Sequence, residues 1–315
     1  MKTLIFGASG YVGRQVTAHL AAAGHDVTGF VRREDAVALM TERGAQAQVG
    51  AVTDADLLNT LIDGHDAIVW IAQLMLDEEQ RVVRAMLERL RGSGKAFIFT
   101  SGTSLLSERT DGEWIEATYA EWDSFIPRRQ VAPRLAIENM VREAGKNGIR
   151  AMVIRPPLIW GYGGSQVIAD YYHSAAVTGA VCHVGRGLNV YSNVHVDDLA
   201  DLYERAIEQG APGALYHCVA GETNFRSMAE RIARTLGVGT RSVSVSEAIE
   251  IWDKFTGPIV LSSCSRTRSP RARLELGWSP RLDRSDILEE CEHPAYRARG
   301  PRALPAHVSA PAKGA

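Results

Sequence analysis

Lys2-Thr3-Leu4-Ile5-Phe6-Gly7-Ala8-Ser9-Gly10-Tyr11-Val12-Gly13 is the stretch on which the fold turns. A short apolar run meets glycine at once, and residues 13–22 then carry apolar side chains at helical spacing. A strand that passes into a helix through residues lacking a β-carbon brings backbone N–H groups close to any anion at the helix N-terminus. The turn is therefore expected to cradle the pyrophosphate of a dinucleotide, with Gly7, Ser9, Gly10, Tyr11, Val12 and Gly13 as its contacts.

Outward from the turn, the pattern alternates. Residues 26–31 predict a second strand and 36–43 a second helix. Residues 66–72 are almost wholly apolar, as in a parallel strand buried on both faces. Residues 78–90 predict an amphipathic helix stopped by Arg91-Gly92-Ser93-Gly94. Residues 96–100 and 151–154 are further buried strands, with a helix over 133–144 between them. This order predicts an α/β fold, a doubly wound parallel Rossmann sheet with right-handed crossovers. After Pro156-Pro157 the texture changes. Short strands (190–191, 215–217) and helices (197–208, 226–236) mix with long loops. The expected division is a dinucleotide-binding Rossmann core over 1–160 and a smaller mixed C-terminal substrate region over 161–296, with 186–208 returning to the core. Residues 297–315, rich in Pro, Ala, Gly and Arg, are expected to be a disordered tail.

The second strand ends Gly29-Phe30-Val31-Arg32-Arg33. An acidic residue at this point suits the ribose hydroxyl of NAD, whereas arginines suit a 2′-phosphate through charge-assisted bonds. Arg32 and Arg33 therefore predict NADP(H) in preference to NAD(H). The 315 residues are 45% hydrophobic and 23% charged, with a net charge of −2, which excludes a disordered chain and a strongly basic nucleic-acid binder. The longest strongly apolar stretch, 67–76, is far shorter than the roughly 20 residues needed to span a bilayer. Glycines interrupt the N-terminal apolar run too early for a secretion signal. Cys182, Cys218, Cys264 and Cys291 form no CxxC pair, which favours reduced thiols and no zinc site. The expectation is a cytoplasmic monomer or homodimer acting on a small-molecule substrate, with no metal, nucleic acid or membrane partner.

Five segments in fixed order carry a resemblance. They are the glycine turn; Val52-Thr53-Asp54 before a helix; Arg155-Pro156-Pro157-Leu158-Ile159-Trp160-Gly161-Tyr162-Gly163-Gly164; Asn193-Val194-His195-Val196-Asp197-Asp198-Leu199-Ala200; and Arg271-Ala272-Arg273-Leu274-Glu275-Leu276-Gly277-Trp278. Together they resemble the short-chain dehydrogenase/reductase superfamily, in its extended, epimerase-like or atypical branch, from Met1 to about Leu282. The resemblance implies that Asp54 lies near the adenine and that Ala72 and Gln73 touch the ribose and phosphates. Pro156, Pro157 and Leu158 would meet the nicotinamide carboxamide, and Thr100 would close the cofactor side.

The family's catalytic pair is a Tyr and a Lys one helical turn later. Counting back from Glu138 places those positions on Gln130 and Arg134. The family's Ser/Thr falls on Gly102, with Thr100, Ser101, Thr103 and Ser104 around it. Arg134 is expected to bind the nicotinamide ribose or polarise a carbonyl, but it is no proton donor near neutral pH. Gln130 is expected to orient the substrate, and Thr103 or Ser104 to hydrogen-bond the reacting oxygen or serve as structural hydroxyls. This altered pair is similar to the atypical ketoreductases of angucyclinone tailoring, of the simocyclinone type.

Other residues carry two readings each. His195 anchors a helix start, with Asp197 or Asp198 as its N-cap, or lines the pocket. Trp114, Tyr119 and Trp122 border the substrate or pack a loop. Arg128 and Arg129, with Arg134, meet an anion or lie on a solvated face. Arg266, Arg268 and Arg271 would suit a diphosphate. The function expected is an NADPH-dependent ketoreductase acting on a bulky, aromatic, polyketide-like carbonyl, its proton coming from water or a neighbouring substrate hydroxyl. The alternatives are a nucleotide-sugar epimerase or reductase and a non-catalytic NADP(H)-sensing protein.

Overall fold

Apolar runs decide the centre of the molecule. Residues 4–6, 67–70 and 96–99 are fully buried, as strands covered on both faces must be. The computed structural model describes residues 1–298. In chain order its strands are β1 (Lys2–Phe6), β2 (Asp26–Val31), β3 (Gln46–Val49), β4 (Ala67–Trp70), β5 (Ala96–Thr100), β6 (Glu108–Arg109) and β7 (Arg150–Arg155). There follow β8 (Leu158–Trp160), β9 (Val181–Val184), β10 (Val190–His195), β11 (Leu215–His217), β12 (Gly221–Asn224), β13 (Thr240–Val243) and β14 (Ser263–Cys264). The first eight helices are α1 (Tyr11–Ala22), α2 (Val37–Glu42), α3 (Ala55–Gly64), α4 (Leu76–Leu90), α5 (Ala132–Ala144), α6 (Gln166–Thr178), α7 (Val196–Gln209) and α8 (Phe225–Leu236).

Seven strands form one parallel sheet in the order β11-β7-β5-β4-β1-β2-β3. Alternation of side chains along each strand supplies two cores. Ile5, Val69 and Ile98 face α1, α2 and α7, while Phe6, Trp70 and Phe99 face α3, α4 and α5. Each such buried side chain contributes about 1.5–3 kcal/mol relative to exposure. Strands after β1 are added first on one side (β2, β3) and then on the other (β4, β5), so the loops leaving the carboxyl ends of β1 and β4 part and open a crevice there. The fold is the doubly wound α/β sheet that the alternating pattern predicts.

A third cluster joins Trp160, Ile168 and Tyr171 to Phe225, Ile232, Trp252 and Tyr296, giving the C-terminal region an apolar core of its own. The return to the sheet runs beyond 186–208. Leu199, Leu202 and Ala206 of α7 pack on the first core, and so do Tyr216 of β11 and Ala272, Leu276 and Trp278. Arg297 and Ala298 belong to a short helix, Ala295–Ala298, rather than to an unstructured tail. The rest of the expected tail lies outside the described residues. All four cysteines are buried free thiols. Among the described residues, no helix is long and apolar enough to cross a membrane.

Candidate active site

The crevice at the β1/β4 reversal opens into a cleft of about 1490 Å³. Its walls are the segments that follow β1, β2, β4, β5 and β7, so five sequence-distant turns converge because the sheet is parallel. Gly7, Ser9, Gly10, Tyr11, Val12 and Gly13 line one side. Arg32 and Arg33, Ala72 and Gln73, Thr100, and Pro156, Pro157 and Leu158 line it further along.

Backbone geometry explains the glycines. Gly7 has φ +85°, and a β-carbon there would lie 2.7 Å from the Ala72 nitrogen. A β-carbon on Gly13 would lie 2.0 Å from the Gly7 carbonyl oxygen. Gly10 is the N-cap of α1 and offers no side-chain cap. The first-turn amides of α1 are thus left for a ligand. A pyrophosphate fits this cradle, since what it needs is bare backbone and a positive helix end. Tyr11 then bridges to the opposite wall. Its hydroxyl donates to the Gly161 carbonyl at 2.8 Å, and its ring fills the place a Gly164 β-carbon would take, 1.8 Å from ring carbon Cε2.

Arg33 pairs with Asp35 at 2.9 Å, both side chains being exposed, so the bond is worth about 0–1 kcal/mol. Arg32 is exposed and forms no ion pair among the described residues. Asp54 lies elsewhere than at the cleft. Its carboxylate accepts from the Leu57 amide at 3.0 Å and caps α3, which occupies it locally; Val52 reaches the cleft in its place. The Thr100 hydroxyl is shared with Tyr203 at 2.6 Å.

Neither of the two positions expected to replace Tyr and Lys lines the cleft. Helix α5 starts at Ala132, with Pro133 in its first turn, so Gln130 sits in the preceding turn, exposed and away from the cleft. A proline at the helix start fixes that boundary. Arg134 is absent from the cleft lining. Its guanidinium pairs with Glu79, donates to the Thr100 carbonyl at 2.9 Å and lies over the Phe99 ring at 4.8 Å. Glu79 is fully buried and also accepts from Trp70 Nε1 at 2.9 Å. Burial pushes its carboxyl above the usual range, against the pull of Arg134 and Trp70. Arg134 is the counter-charge of a buried acid.

Thr103 and Ser104 do line the cleft. Thr103 is 1% exposed, and its amide bonds the Pro156 carbonyl at 3.0 Å. Beside them stands Tyr191 of β10, a residue that sequence reading treated only as part of a short strand. No local spacing marks it, because its neighbours come from distant loops.

The remaining candidates do not line the cleft. His195 itself is the N-cap of α7, accepting from the Asp197 amide at 3.2 Å, while Asp197 and Asp198 receive Arg284 at 3.2 and 2.9 Å. Its ring meets Trp160 and Tyr162 edge-on, and burial holds the imidazole below its ordinary pKa. Trp114, Tyr119 and Trp122 lie off the cleft; the first and third are exposed and Tyr119 donates to Glu108 at 2.9 Å. Arg128 is not on a solvated face. It donates to Ser107, Ser263 and the Ile259 carbonyl at 2.9–3.0 Å, whereas Arg129 is exposed. Arg266, Arg268 and Arg271 pair with Glu222, Asp123 and Glu275, and none reaches the cleft.

Residues 3–219 match the model of the NAD dependent epimerase/dehydratase family. An uncharacterized protein of Saccharomyces cerevisiae is 30% identical over 299 residues, 89% of this chain and 95% of its own. A 4-hydroxy-2-methyl-3-oxo-4-farnesyl-3,4-dihydroquinoline-1-oxide ketoreductase of Stigmatella aurantiaca is 25% identical over 251 residues, 76% of this chain and 74% of its own. Among solved structures, dTDP-glucose 4,6-dehydratase of Bacillus anthracis in complex with NAD superposes with a TM-score of 0.74 at 14% identity, covering 95% of this chain and 97% of the other.

Proposed function

The chain belongs to the NAD dependent epimerase/dehydratase family, and from that premise we propose that it is an NADPH-dependent ketoreductase for a bulky, aromatic, polyketide-like carbonyl. One observation carries the reading. A single cleft joins a bare-backbone turn at a helix N-terminus to the hydroxyls of Thr103 and Ser104 and the apolar surfaces of Leu158, Val167, Tyr191 and Val260. The amides of residues 11–13 would hold the pyrophosphate, Arg32 the 2′-phosphate, and the backbone of Pro156, Pro157 and Leu158 the carboxamide. A reduced nicotinamide bound there supplies hydride to a carbonyl carbon. Thr103 and Ser104 stand ready to hydrogen-bond the oxygen on which charge develops. Apolar side chains in the lining suit a hydrophobic substrate.

The ketoreductase name of the Stigmatella relative supports the carbonyl chemistry. A nucleotide-sugar substrate fits less well, because Arg266, Arg268 and Arg271 are already matched by carboxylates away from the cleft. The test is NADPH oxidation across a panel of quinones and polyketide ketones, beside thermal shifts with UDP- and TDP-sugars. Turnover of an aromatic ketone is expected. Dinucleotide binding without turnover of any ketone refutes the reading.

A further inference from the structure

Gln130 lies away from the cleft and Arg134 is engaged by Glu79, so neither position meets a substrate. Two phenols line the cleft, Tyr11 and Tyr191. Tyr11 gives its hydroxyl proton to the Gly161 carbonyl at 2.8 Å. Tyr191 is differently placed.

Strand β10 holds Tyr191 opposite Thr223 of β12, and its ring stacks on Phe225 at 6.0 Å and 22°. The residue is 8% exposed and lines the cleft with Thr103. Its hydroxyl approaches those of Thr103 and Ser265. Ser265 is fixed in turn, donating its hydroxyl to the Thr103 carbonyl at 3.1 Å and its amide to the Val190 carbonyl at 2.9 Å. The Thr103 hydroxyl is buried beside that phenol. Both residues line the cleft, and a hydroxyl that donates one bond and accepts two can take a ligand oxygen as a further partner. The charged and titratable groups facing Tyr191 are Arg128 and Cys264. Arg128 is immobilised by three hydrogen bonds to Ser107, Ser263 and Ile259.

We propose that Tyr191 is the proton donor of the site, giving its phenolic hydrogen to the substrate carbonyl oxygen while the Thr103 hydroxyl bonds the same oxygen and Arg128 stabilises the phenolate. The assignment rests on the ketoreductase reading above. The reductant is the reduced nicotinamide, which delivers a hydrogen with its electron pair to the carbonyl carbon. The C=O π pair moves onto oxygen, the Tyr191 O–H bond breaks and the alcohol O–H bond forms. Solvent at the cleft then returns a proton to the phenolate. A phenol is protonated at neutral pH in any setting; burial moves Tyr191 further up, the Ser265 hydroxyl, Arg128 and the Thr103 hydroxyl oppose that, and the Cys264 thiol adds to it.

The test uses the full chain, a ketone that the wild type reduces, and the Tyr191→Phe variant. Expected is a fall in kcat of about 10²–10⁴-fold, with the NADPH Kd changed by less than about twofold. A second readout needs no turnover. In a spectrophotometric pH titration, one tyrosinate signal should vanish in Tyr191→Phe and move to higher pH in Arg128→Gln. Tyr119→Phe, altered outside the cleft, should keep the wild-type rate. Wild-type kcat in Tyr191→Phe, or a titration unmoved by Arg128→Gln, overturns the assignment and leaves the ketoreductase reading standing. A wild type that binds NADPH but reduces no ketone overturns that reading, and the assignment with it.

Discussion

Replacing Arg134 by Leu separates two roles for one guanidinium. If it holds a cofactor ribose, cofactor affinity falls; if it neutralises Glu79, the fold suffers. Glu79 is fully buried, and without Arg134 its remaining hydrogen-bond partner is Trp70 Nε1 at 2.9 Å. Removing one partner of a buried pair costs about 3–5 kcal/mol. Arg134 keeps 22% of its side chain exposed, so water enters the gap and we expect about 2–3 kcal/mol. That corresponds to a Tm lowered by roughly 3–5 °C. The sign of the pH dependence follows from Glu79. Its carboxyl is raised in the folded state, and losing Arg134 raises it further. A raised folded-state pKa gives stability present below the unfolded value, about 4.3, and lost as pH climbs through the folded one. The deficit of Arg134→Leu should therefore be larger at pH 8 than at pH 5, and adding Glu79→Gln should recover most of it. Urea unfolding at both pH values, with NADPH titrated by fluorescence, reads both roles. An unchanged unfolding midpoint with a loss of NADPH affinity of about tenfold, some 1.4 kcal/mol, would refute the reasoning.

Three further substitutions probe the turn, the cofactor choice and the helix anchor. Gly13→Ala drives a β-carbon to 2.0 Å from the Gly7 carbonyl oxygen; we expect about 1–3 kcal/mol of lost stability, with NADPH binding abolished in calorimetry, and normal binding would contradict the cradle. Arg32→Asp should turn the balance against NADPH relative to NADH by about 2 kcal/mol; competitive titrations in which the ratio stays put would remove the 2′-phosphate assignment. His195→Ala removes the cap on the Asp197 amide and should cost at least about 1 kcal/mol in chemical unfolding. Its kcat should remain at the wild-type value, and a collapse of kcat in a stable variant would move His195 into the site.

Particular residues show what a sequence makes legible. The runs at 67–70 and 96–100 were readable because a strand buried on both faces is apolar at every position. Strand β3 was not, since Gln46–Val49 at the sheet edge is only partly buried and carries two glutamines. Helix α6 also went unread: Asp170, Tyr171, Tyr172, His173 and Ser174 are buried in succession, so no polar stripe marks a period. The glycine turn announced itself, whereas the catalytic register did not survive. Counting four residues back from Arg134 presupposes helix, and Pro133 ends the helix before Gln130. A proton from water or a substrate hydroxyl is the expectation because neither Gln130 nor Arg134 can donate one near neutral pH. Tyr191 meets Thr103, Ser265 and Arg128 only after the sheet, a loop and the β6–β14 ladder have folded around it. Asp54 shows a second limit, because an acid before a helix caps it, as here, as readily as it meets a ligand.

The contact of Tyr11 with Gly161 and Gly164 has an evolutionary consequence. Ring and hydrogen occupy one space from opposite sides of the cleft, since a β-carbon at 164 would fall 1.8 Å from the ring. Positions 11 and 164 therefore cannot drift independently. Across a set of relatives, any side chain at 164 should co-occur with a residue smaller than tyrosine at 11, while a tyrosine at 11 should tolerate glycine alone at 164. The Gly161 carbonyl would then lose its phenolic donor, and the mouth of the cleft would be free to widen in lineages that took larger ligands.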